Sequence, residues 1–347
     1  MKYTSRQISK AGEIITTSSD IIAVTNAITK VNEWREHHLP VIESLMTEIQ
    51  QCFSSHSISP VFSSYRLKRM TSIQYKLDLN PEMRLGGMQD IAGGRFVFTD
   101  VDTLRKAFLL LQNEQPAQFE IVKKDDYVDV KPKPSGYRSI HLVYKYHSVK
   151  GEDWDNMKVE IQLRTKMQHS WAMAVETAGL VTNTAMKSGQ GSDEWQDFFR
   201  VVSCLFSMKE HTMIMPEFCN ESTVSLLKKL QKLDEKFKFS DQLLALKLSV
   251  KEVEKHSFSG DVFLLYIDFN TQHLRIVSFD KRNIEKANNM YNSIEAKISD
   301  RDNAVVLVSV SSIKELREAY PSYFLDMDDF NSQLNTYLKI GRLQTRR

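Results

Sequence analysis

Hydrophobic residues recur at helical spacing near the start of the chain. Between residues 19 and 55 the repeat is carried by Ile21, Ile22, Val24, Ile28, Val31 and Trp34, and then by Val41, Leu45, Ile49 and Phe53. Residues at this spacing lie on one face of a helix. The pattern predicts N-terminal helices within residues 1–55, with the apolar stripe in the protein core.

In the middle of the chain, hydrophobic residues alternate with polar ones or form short apolar runs. Val159, Ile161 and Leu163 alternate with Glu160, Gln162 and Arg164. This period of two predicts a strand with one buried and one polar face. The apolar run at residues 96–98 predicts another strand. Further on, a helix beginning at Ser192 or Asp193 is predicted from the spacing of Trp195, Phe198, Phe199 and Val202.

The last third of the chain predicts a helical connector and a small module. Leucines at 226, 227, 230 and 233 continue a helical pattern from residue 221 to about 256. Beyond residue 258 we predict a hairpin of strands 262–267 and 274–277, a helix at 284–298, a strand at 304–310 and helices at 313–319 and 327–338. This is an α+β module of ββαβα order without an evident catalytic constellation.

Composition narrows the classes of protein that fit. A chain of 347 residues that is 41% hydrophobic suits two domains with cores of their own. A net charge of +2 gives no overall basic field for nucleic acid, although local clusters can still bind it. Three cysteines without C-x-x-C spacing argue against a zinc finger and favour a reducing, cytoplasmic location. Lacking a signal core or a long apolar run, the sequence predicts neither secretion nor a membrane span.

Cationic residues cluster in the segment RLKRMTSIQYK, which begins at Arg66. On a strand, Arg66 and Lys68 point the same way, and they repel each other unless a negative group lies between them. A polyphosphate fits that position, because arginine binds phosphate in a bidentate manner and lysine binds it as a point charge. A basic, solvated sheet edge would contain the same residues, so both interpretations stay open.

Two carboxylates, Asp90 and Glu160, are candidates for a metal site. Mg²⁺ in proteins takes one or two carboxylates together with substrate phosphates. Glu160 also suits proton transfer from a hydroxyl. The structural alternatives are a turn cap for Asp90 and an exposed strand edge for Glu160. Near Asp90, Arg95 offers a planar guanidinium that can stack on a base.

The loop at residues 131–141 reads KPKPSGYRSIH. Its two prolines and its glycine fix an irregular turn, and Lys131, Lys133 and Arg138 make it cationic. We expect Tyr137 at its tip, where the ring can stack on a base. His141 begins an apolar strand, and is either a phosphate or ribose contact or a structural histidine.

In this order, the segments from Arg66, Met88, Asp126 and Val159 resemble the synthetase domain of the RelA/SpoT family, over roughly residues 56–215. The resemblance implies an α+β fold of the nucleotidyltransferase type, with a mixed β-sheet flanked by helices. It implies transfer of pyrophosphate from ATP to a ribose 3′-hydroxyl, with Asp90 and Glu160 as catalytic, Mg²⁺-binding carboxylates. The implied ATP-binding residues are Arg66, Lys68, Ser72, Lys76 and Arg95, with the two arginines on either side of the adenine. The implied acceptor-binding residues are Lys133, Tyr137, His141, Gln162 and Arg164, with Tyr137 stacked on the acceptor base.

The architecture beyond the synthetase region resembles the fused toxin–antitoxin members of this family called CapRel. The shared features are a connector at residues 216–257 and a module at residues 258–347 that contains Tyr320-Pro321-Ser322-Tyr323. The resemblance implies that the acceptor is the 3′ end of tRNA, and that a phage protein, such as a capsid protein, releases the enzyme from the module. Tyr320 and Tyr323 would inhibit by stacking between Arg66 and Arg95, unless they only pack within the module.

Two alternatives remain open. The enzyme can be an alarmone synthetase that uses GDP, GTP or an adenosine nucleotide, because Tyr137 can stack on a mononucleotide base as well as on the terminal adenine of tRNA. The chain can also be a non-catalytic nucleotide or RNA sensor. The presence of both Asp90 and Glu160 favours an enzyme.

Overall fold

The structure is a computed structural model, and it describes residues 3–148, 155–181, 193–237, 239–240, 261–268, 273–297, 303–309 and 328–345. The helices α1 to α10 span Ser5–Thr17, Ile21–Glu36, His38–Ser55, Met70–Leu79, Val101–Asn113, Lys166–Val181, Asp193–Glu210, Thr223–Phe237, Ile284–Glu295 and Asp328–Thr345. The strands β1 to β8 span Phe62–Leu67, Ala92–Phe98, Phe119–Asp126, Ile140–Tyr146, Lys158–Thr165, Val262–Asp268, His273–Phe279 and Asn303–Ser309.

A five-stranded mixed sheet forms the centre of the fold. Its strand order is β1-β2-β5-β4-β3, with β2 and β5 parallel and the other pairs antiparallel. One face is apolar, and α3 and α5 contact its strands. The buried side chains on this face include Phe96, Phe98, Leu142, Ile161 and Leu163. The predicted α+β fold with a mixed sheet and flanking helices is confirmed.

The N-terminal helices contribute to the same core, as their periodicity predicted, and α3 contacts the sheet directly. Val31 and Trp34 are buried, as are the four predicted core residues of α3. Ile21 and Ile22 are 80% and 74% exposed, so the predicted stripe was wrong there. They occupy the first turn of α2, just after its N-cap Asp20. The helix α1 was not predicted, although Thr4 and Gln7 form a capping box at its start.

A second core lies between α6, α7, α8 and α10. Trp171 is buried and its indole nitrogen donates to the Phe199 carbonyl oxygen at 2.8 Å, so its role is in packing. The predicted last helix begins at Asp328 and extends to Thr345, beyond the expected end. It adds three fully or nearly fully buried side chains to this core, namely Phe330, Leu334 and Leu338. The C-terminal helix therefore packs against the helices that flank the central sheet.

A small sheet of order β7-β6-β8 contains the predicted hairpin, and α9 packs on it. β8 contacts β1 of the central sheet. The guanidinium of Arg35 lies 5.2 Å from the centre of the Tyr291 ring. The hairpin turn at 270–272, the predicted helix at 313–319, and both Tyr320 and Tyr323 lie outside the described residues. Among the residues that are described, no helix is long and apolar enough to span a membrane.

Candidate active site

Polar side chains form two rows across one face of the central sheet. Directly paired residues on neighbouring strands point to the same face. The first row consists of Arg66, Gly93, Glu160, Val143 and Lys123. The second row consists of Ser64, Arg95, Gln162, His141 and Asp125. The register of the strands thus gathers charged residues from distant parts of the sequence onto one surface.

These rows line a pocket of about 700 Å³, a size typical of ligand sites. Its lining contains eight Arg and Lys residues against five Asp and Glu residues, so the pocket favours an anionic ligand. The predicted site residues that line it are Arg66, Lys68, Lys76, Asp90, Arg95, Lys133, Tyr137, His141, Glu160, Gln162 and Arg164. Ser72 is not among the lining residues, although it lies one turn before Lys76 on α4.

Asp90 lies between two lysines. The Nζ atoms of Lys68 and Lys76 are each 2.9 Å from Oδ2 of Asp90. Burial raises the pKa of the Asp90 carboxyl, but the two ammonium groups outweigh burial and hold that pKa far below its ordinary value. Burial lowers the pKa of Lys68, and Asp90 opposes that effect. Asp90 therefore neutralises part of the positive charge of Lys68 and Lys76.

Five predicted residues close a hydrogen-bonded ring on the floor of the pocket. His141 joins Glu160 through Nδ1 at 3.1 Å and Tyr137 through Nε2 at 2.9 Å. Nη2 of Arg164 donates to the Tyr137 hydroxyl and to Oε1 of Gln162, each at 2.6 Å. Nε2 of Gln162 donates to Oε1 of Glu160 at 2.7 Å, which completes the ring. Each member therefore fixes the orientation of its neighbours.

The ring also sets the charges of its members. Burial lowers the pKa of His141, but Tyr137 and the Glu160 carboxylate outweigh it and raise that pKa to about 9. Burial raises the pKa of Glu160, but His141 and the hydrogen bond from Gln162 bring it down to about 2. At neutral pH the pair is an imidazolium and a carboxylate. Glu160 is consequently a weak base that suits orienting a hydroxyl or binding a cation better than removing a proton.

Tyr137 does not stand at an exposed loop tip, as the sequence predicted, but is only 7% exposed. Its hydroxyl is held by the ring described above, and Gly136 before it adopts φ 89°. The guanidinium of Arg164 lies 5.1 Å from the centre of the Tyr137 ring, and Nζ of Lys133 lies 5.3 Å from it. The aromatic ring remains part of the pocket lining, so a base can reach it only within the pocket.

Arg138 is a structural residue, not part of a cationic loop surface. It is 4% exposed and donates through Nη1 to the carbonyl oxygens of Val128 and Met213. Burial lowers its pKa to about 10. The loop therefore presents Lys131 and Lys133, but not Arg138, to a ligand.

A β-bulge decides which lysine of β3 faces the pocket. The register shifts between Ile121 and Lys123, so Val122 is an extra residue on that strand. After the bulge, Lys123 and Asp125 line the pocket and form an ion pair of 2.7 Å. Lys124 points to the other face and donates to Gln112 on α5 at 2.8 Å. Sequence alternation alone could not locate this change of face.

The adjacent glycines Gly93 and Gly94 are required for different reasons. A Cβ atom at Gly94 would lie 2.5 Å from Sδ of Met46 and 2.7 Å from Cδ1 of Ile161, so Gly94 permits close packing on α3. At Gly93, a Cβ atom would meet, among the described residues, only the Glu160 carbonyl oxygen at 3.7 Å. Gly93 thus leaves a gap between Arg66 and Glu160 in the first row.

Further pocket residues were not assigned from the sequence. Glu176 of α6 lines the pocket and attracts Arg95, whose pKa is lowered to about 10 by burial and by the charge of Arg164. Tyr127 also lines it, with Nζ of Lys133 at 4.4 Å from the ring centre. Neither Glu176 nor Tyr127 belongs to an alternating strand pattern, so no sequence pattern indicated that they lie at the site.

The helix α1 braces the segment that leads into Asp90. Oγ of Ser5 donates to the Gly86 carbonyl oxygen at 2.9 Å, and the Gly86 amide donates to Oγ of Ser9 at 3.2 Å. A Cβ atom at Gly86 would lie 2.1 Å from the carbonyl oxygen of Ser5. This close approach fixes the position of the turn Leu85–Gly87, and thereby the segment that ends in Asp90.

Part of the chain is similar to known proteins. Residues 65–180 match the family described as "Region found in RelA / SpoT proteins". The GTP pyrophosphokinase YjbM of Bacillus subtilis is 32% identical over 149 residues, which are 42% of this chain and 59% of that protein. The GTP pyrophosphokinase YwaC of the same organism is 29% identical over 123 residues, which are 34% of this chain and 57% of that protein.

The chain thus spans less than two thirds of the length of either relative. Among solved structures, small alarmone synthetase 1 from Bacillus subtilis bound to its product pppGpp has a TM-score of 0.43 at 24% identity, covering 52% of this chain and 93% of that one. Residues 65–180, the range that matches this family model, hold nearly the whole pocket lining.

Proposed function

We propose that this chain is a RelA/SpoT-type pyrophosphokinase, which transfers pyrophosphate from ATP to the 3′-hydroxyl of a ribose. One observation carries the proposal: two ionised carboxylates, Asp90 and Glu160, lie in a pocket whose lining is otherwise rich in arginine and lysine. Two separated carboxylates in an excess of cations suit a metal-assisted reaction of polyphosphates. The matched region and the names of both relatives support the same reaction class.

The donor side of the pocket suits ATP. Arg66 and Arg95 lie on the same face of adjacent strands, one row apart, so their guanidinium groups can flank an adenine. Lys68 and Lys76 are within reach of a triphosphate, which would compete with Asp90 for their ammonium groups. Such competition would free the oxygen atoms of Asp90 for Mg²⁺.

Asp90 and Glu160 fit Mg²⁺ as hard oxygen donors that are already ionised, and the charge of Asp90 acts on Glu160 across the pocket. When bound, Mg²⁺ would neutralise charge on the triphosphate. The protein residues would do the positioning. The acceptor oxygen attacks the β-phosphorus, the bond from that phosphorus to the α,β-bridging oxygen breaks, AMP leaves, and the hydroxyl proton is released. Glu160 would orient the hydroxyl, while the cationic His141 would hold Glu160 and Tyr137 in place and attract the acceptor through its charge.

Arg164 and Gln162 would complete the acceptor side. Nη1 of Arg164 is buried and has no hydrogen-bond partner among the described residues, so a ligand oxygen can accept from it. Tyr137 and Lys133 would contact the acceptor base and phosphate, respectively. Ser72 does not line the pocket in this structure, and its proposed contact with ATP needs a movement of α4.

We propose that the acceptor is the 3′ end of tRNA. The reaction would then block translation in the cytoplasm, and the enzyme would act as a toxin. Exposed Lys131 and half-exposed Lys123 at the pocket would contact the RNA backbone. The names of the relatives support GTP as an alternative acceptor. The pocket can accept either ligand, because only the terminal nucleotide has to enter it.

The C-terminal module would restrain this activity through Tyr320 and Tyr323, until a phage protein such as a capsid protein binds the module. Two anchors flank the segment that carries these tyrosines. β8 contacts β1, the strand of Arg66, and α10 packs on α6 and α8. Tethering at both ends raises the local concentration of the tyrosines, so that even a weak stacking contact would compete with ATP.

The test uses the full chain, ATP labelled at the γ-phosphate, and tRNA or guanosine and adenosine nucleotides as acceptors. We expect label on the 3′ end of tRNA, and more of it after Tyr320 and Tyr323 are both changed to Ala. Label on GDP or GTP alone would replace the tRNA proposal with an alarmone synthetase. No transfer by the parent or by the double variant to any acceptor would favour a nucleotide or RNA sensor.

A further inference from the structure

A cysteine, a histidine and a carboxylate meet at the ends of two helices, outside the pocket. Cys52 lies in the last turn of α3, His56 is the C-cap of that helix, and Glu114 is the C-cap of α5. Nε2 of His56 is 3.1 Å from Oε1 of Glu114, and Sγ of Cys52 is 4.0 Å from Oε2 of Glu114. One ligand atom from each residue lies within 4.8 Å of the other two.

The hydrogen bond at the other ring nitrogen orients His56 for coordination. Nδ1 of His56 is 3.0 Å from the Cys52 carbonyl oxygen and 3.2 Å from Oγ of Ser55, and the tautomer with its hydrogen on Nδ1 donates to that carbonyl oxygen. In this neutral tautomer, Nε2 carries the lone pair, and that lone pair faces a carboxylate oxygen. Two acceptors at this separation need a cation between them, either a proton or a metal ion. Histidines that bind metals commonly donate their second N–H to a backbone carbonyl, as His56 does.

We propose that Cys52, His56 and Glu114 bind a transition-metal ion of the Zn²⁺ class, with water as the fourth ligand. A thiolate and an imidazole select such ions over Mg²⁺ and Ca²⁺, which prefer oxygen ligands. Tetrahedral zinc with these donors separates its ligand atoms by roughly 3.3–3.6 Å, given bond lengths of about 2.0–2.3 Å. The observed separations are 3.1 Å from His56 to Oε1 of Glu114 and 4.0 Å from Cys52 to Oε2, and one ligand atom of each residue lies within 4.8 Å of the others, so the side chains would rotate toward the ion to complete the geometry.

The metal would link α3 and α5, two helices that pack against the central sheet, which carries the candidate active site on its other face. α3 contacts β1, β2 and β5 from the apolar side, and α5 contacts β2 and β5. Linking their C-terminal ends would stabilise the folded state by mass action, because the three ligands are brought together only in that state. Burial and the Glu114 carboxylate raise the pKa of the Cys52 thiol, so zinc must displace its proton, and binding is best measured at pH 8.

The experiment is a zinc titration of the full chain at pH 8, without ATP or Mg²⁺, followed by calorimetry and thermal melts. We expect one Zn²⁺ per chain and a higher Tm. The variants Cys52→Ser, His56→Gln and Glu114→Gln should each weaken binding by more than the ~10–100-fold that loss of an outer partner costs. Cys219→Ser is the matched control, because Cys219 is an exposed free thiol outside the cluster, and it should bind like the parent.

Cobalt provides a second readout, because a thiolate-to-cobalt absorption band reports the cysteine directly. The band should be present in the parent and in Cys219→Ser but absent in Cys52→Ser. The proposal is overturned if the parent binds no zinc, or if the cluster variants retain its affinity. It is also overturned if zinc binding is lost with Glu160→Gln but not with Cys52→Ser, because the metal then lies in the pocket.

Discussion

His141 and Glu160 determine each other's charge. Their side chains approach to 3.1 Å on the polar face of the central sheet, and both are largely buried. Because the imidazolium lowers the pKa of the carboxyl, while the carboxylate raises the pKa of the imidazole, each group remains charged at neutral pH. The pair lies on the floor of a cationic pocket and is charged at neutral pH, so it can align a substrate there.

Removing the Glu160 charge should abolish transfer without unfolding the protein. We expect Glu160→Gln to reduce the rate by at least ~10²-fold, the order of loss that follows when a reacting group is misplaced by about 1 Å. Asp90→Asn should cause a similar loss, because the Mg²⁺ ligand set would be incomplete. The measurement is the rate of label transfer from ATP, together with a thermal melt.

Glu120→Gln is the matched control for Glu160→Gln. Glu120 also pairs with a histidine, at 3.0 Å from Nε2 of His147, but that pair is exposed and outside the pocket. Its substitution should leave the rate unchanged. A folded Glu160→Gln protein with the parent's rate would show that the carboxylate has been assigned wrongly.

The His141–Glu160 pair should make stability depend on pH in the alkaline range. The pKa of His141 is raised to about 9 in the folded protein, above the ~6.5 of an unfolded chain. A raised pKa stabilises the folded state fully below about 6.5, and this contribution is lost as the pH rises through 9. The difference in Tm between the parent and His141→Gln should therefore shrink between pH 6.5 and 9.

An NMR titration of the histidine signals measures the pKa of His141 directly. In Glu160→Gln the imidazole loses its carboxylate while remaining buried, so the pKa of His141 should fall well below 9. A pKa that stays near 9 in this variant would mean that Tyr137, and not Glu160, is the main group that stabilises the imidazolium.

The same substitution at two neighbouring glycines should have opposite consequences. Gly94→Ala would force a Cβ atom against Met46 and Ile161, and we expect a loss of about 1–3 kcal/mol of stability. Gly93→Ala meets no such contact, so its Tm should equal or exceed that of the parent. Because its methyl group enters the gap between Arg66 and Glu160, transfer should nevertheless slow. Equal Tm values for the two variants would contradict the packing described for this strand.

Hydrophobic periodicity predicted most of the elements, because it reports which face of each element is buried. The strand of Glu160 and the helix of Phe198 were found in this way. Tyr137 and Arg138 were misplaced, because their burial depends on partners remote in sequence, namely Arg164 and Met213. The side of β3 that faces the pocket depends on the bulge at Val122, which leaves no mark in the pattern of the sequence.

Charge neutralisation around the pocket should distinguish the acceptors. Replacing Lys123 and Lys131 with Gln should weaken transfer to tRNA and reduce the slope of its salt dependence by about one per lost phosphate contact. Transfer to GDP should change much less, because Lys131 is exposed and Lys123 half-exposed, where an RNA backbone would extend beyond the terminal nucleotide. Lys124→Gln is the matched control, since its side chain faces α5. An equal loss for both acceptors would indicate that Lys123 or Lys131 contacts ATP.

Truncation is a poor way to remove the C-terminal module. A chain that ends at residue 220 would lack α8 and α10, whose side chains complete the second core. The exposed core would destabilise the synthetase region itself. Substitutions in the full chain are therefore the better test of inhibition in cis.

Phe330→Ala should release the C-terminal helix from the second core. The Phe330 side chain is fully buried, and its ring centre lies 6.0 Å from those of Phe199 and Phe206. Its truncation should cost about 3–5 kcal/mol, seen as a lower Tm. Leu343→Ala on the same helix is the control, because Leu343 is 58% exposed and its change should be nearly neutral. If α10 anchors an inhibitory segment, Phe330→Ala assayed well below its Tm should transfer more label than Leu343→Ala. A lower Tm with unchanged transfer would assign the helix a role in stability alone.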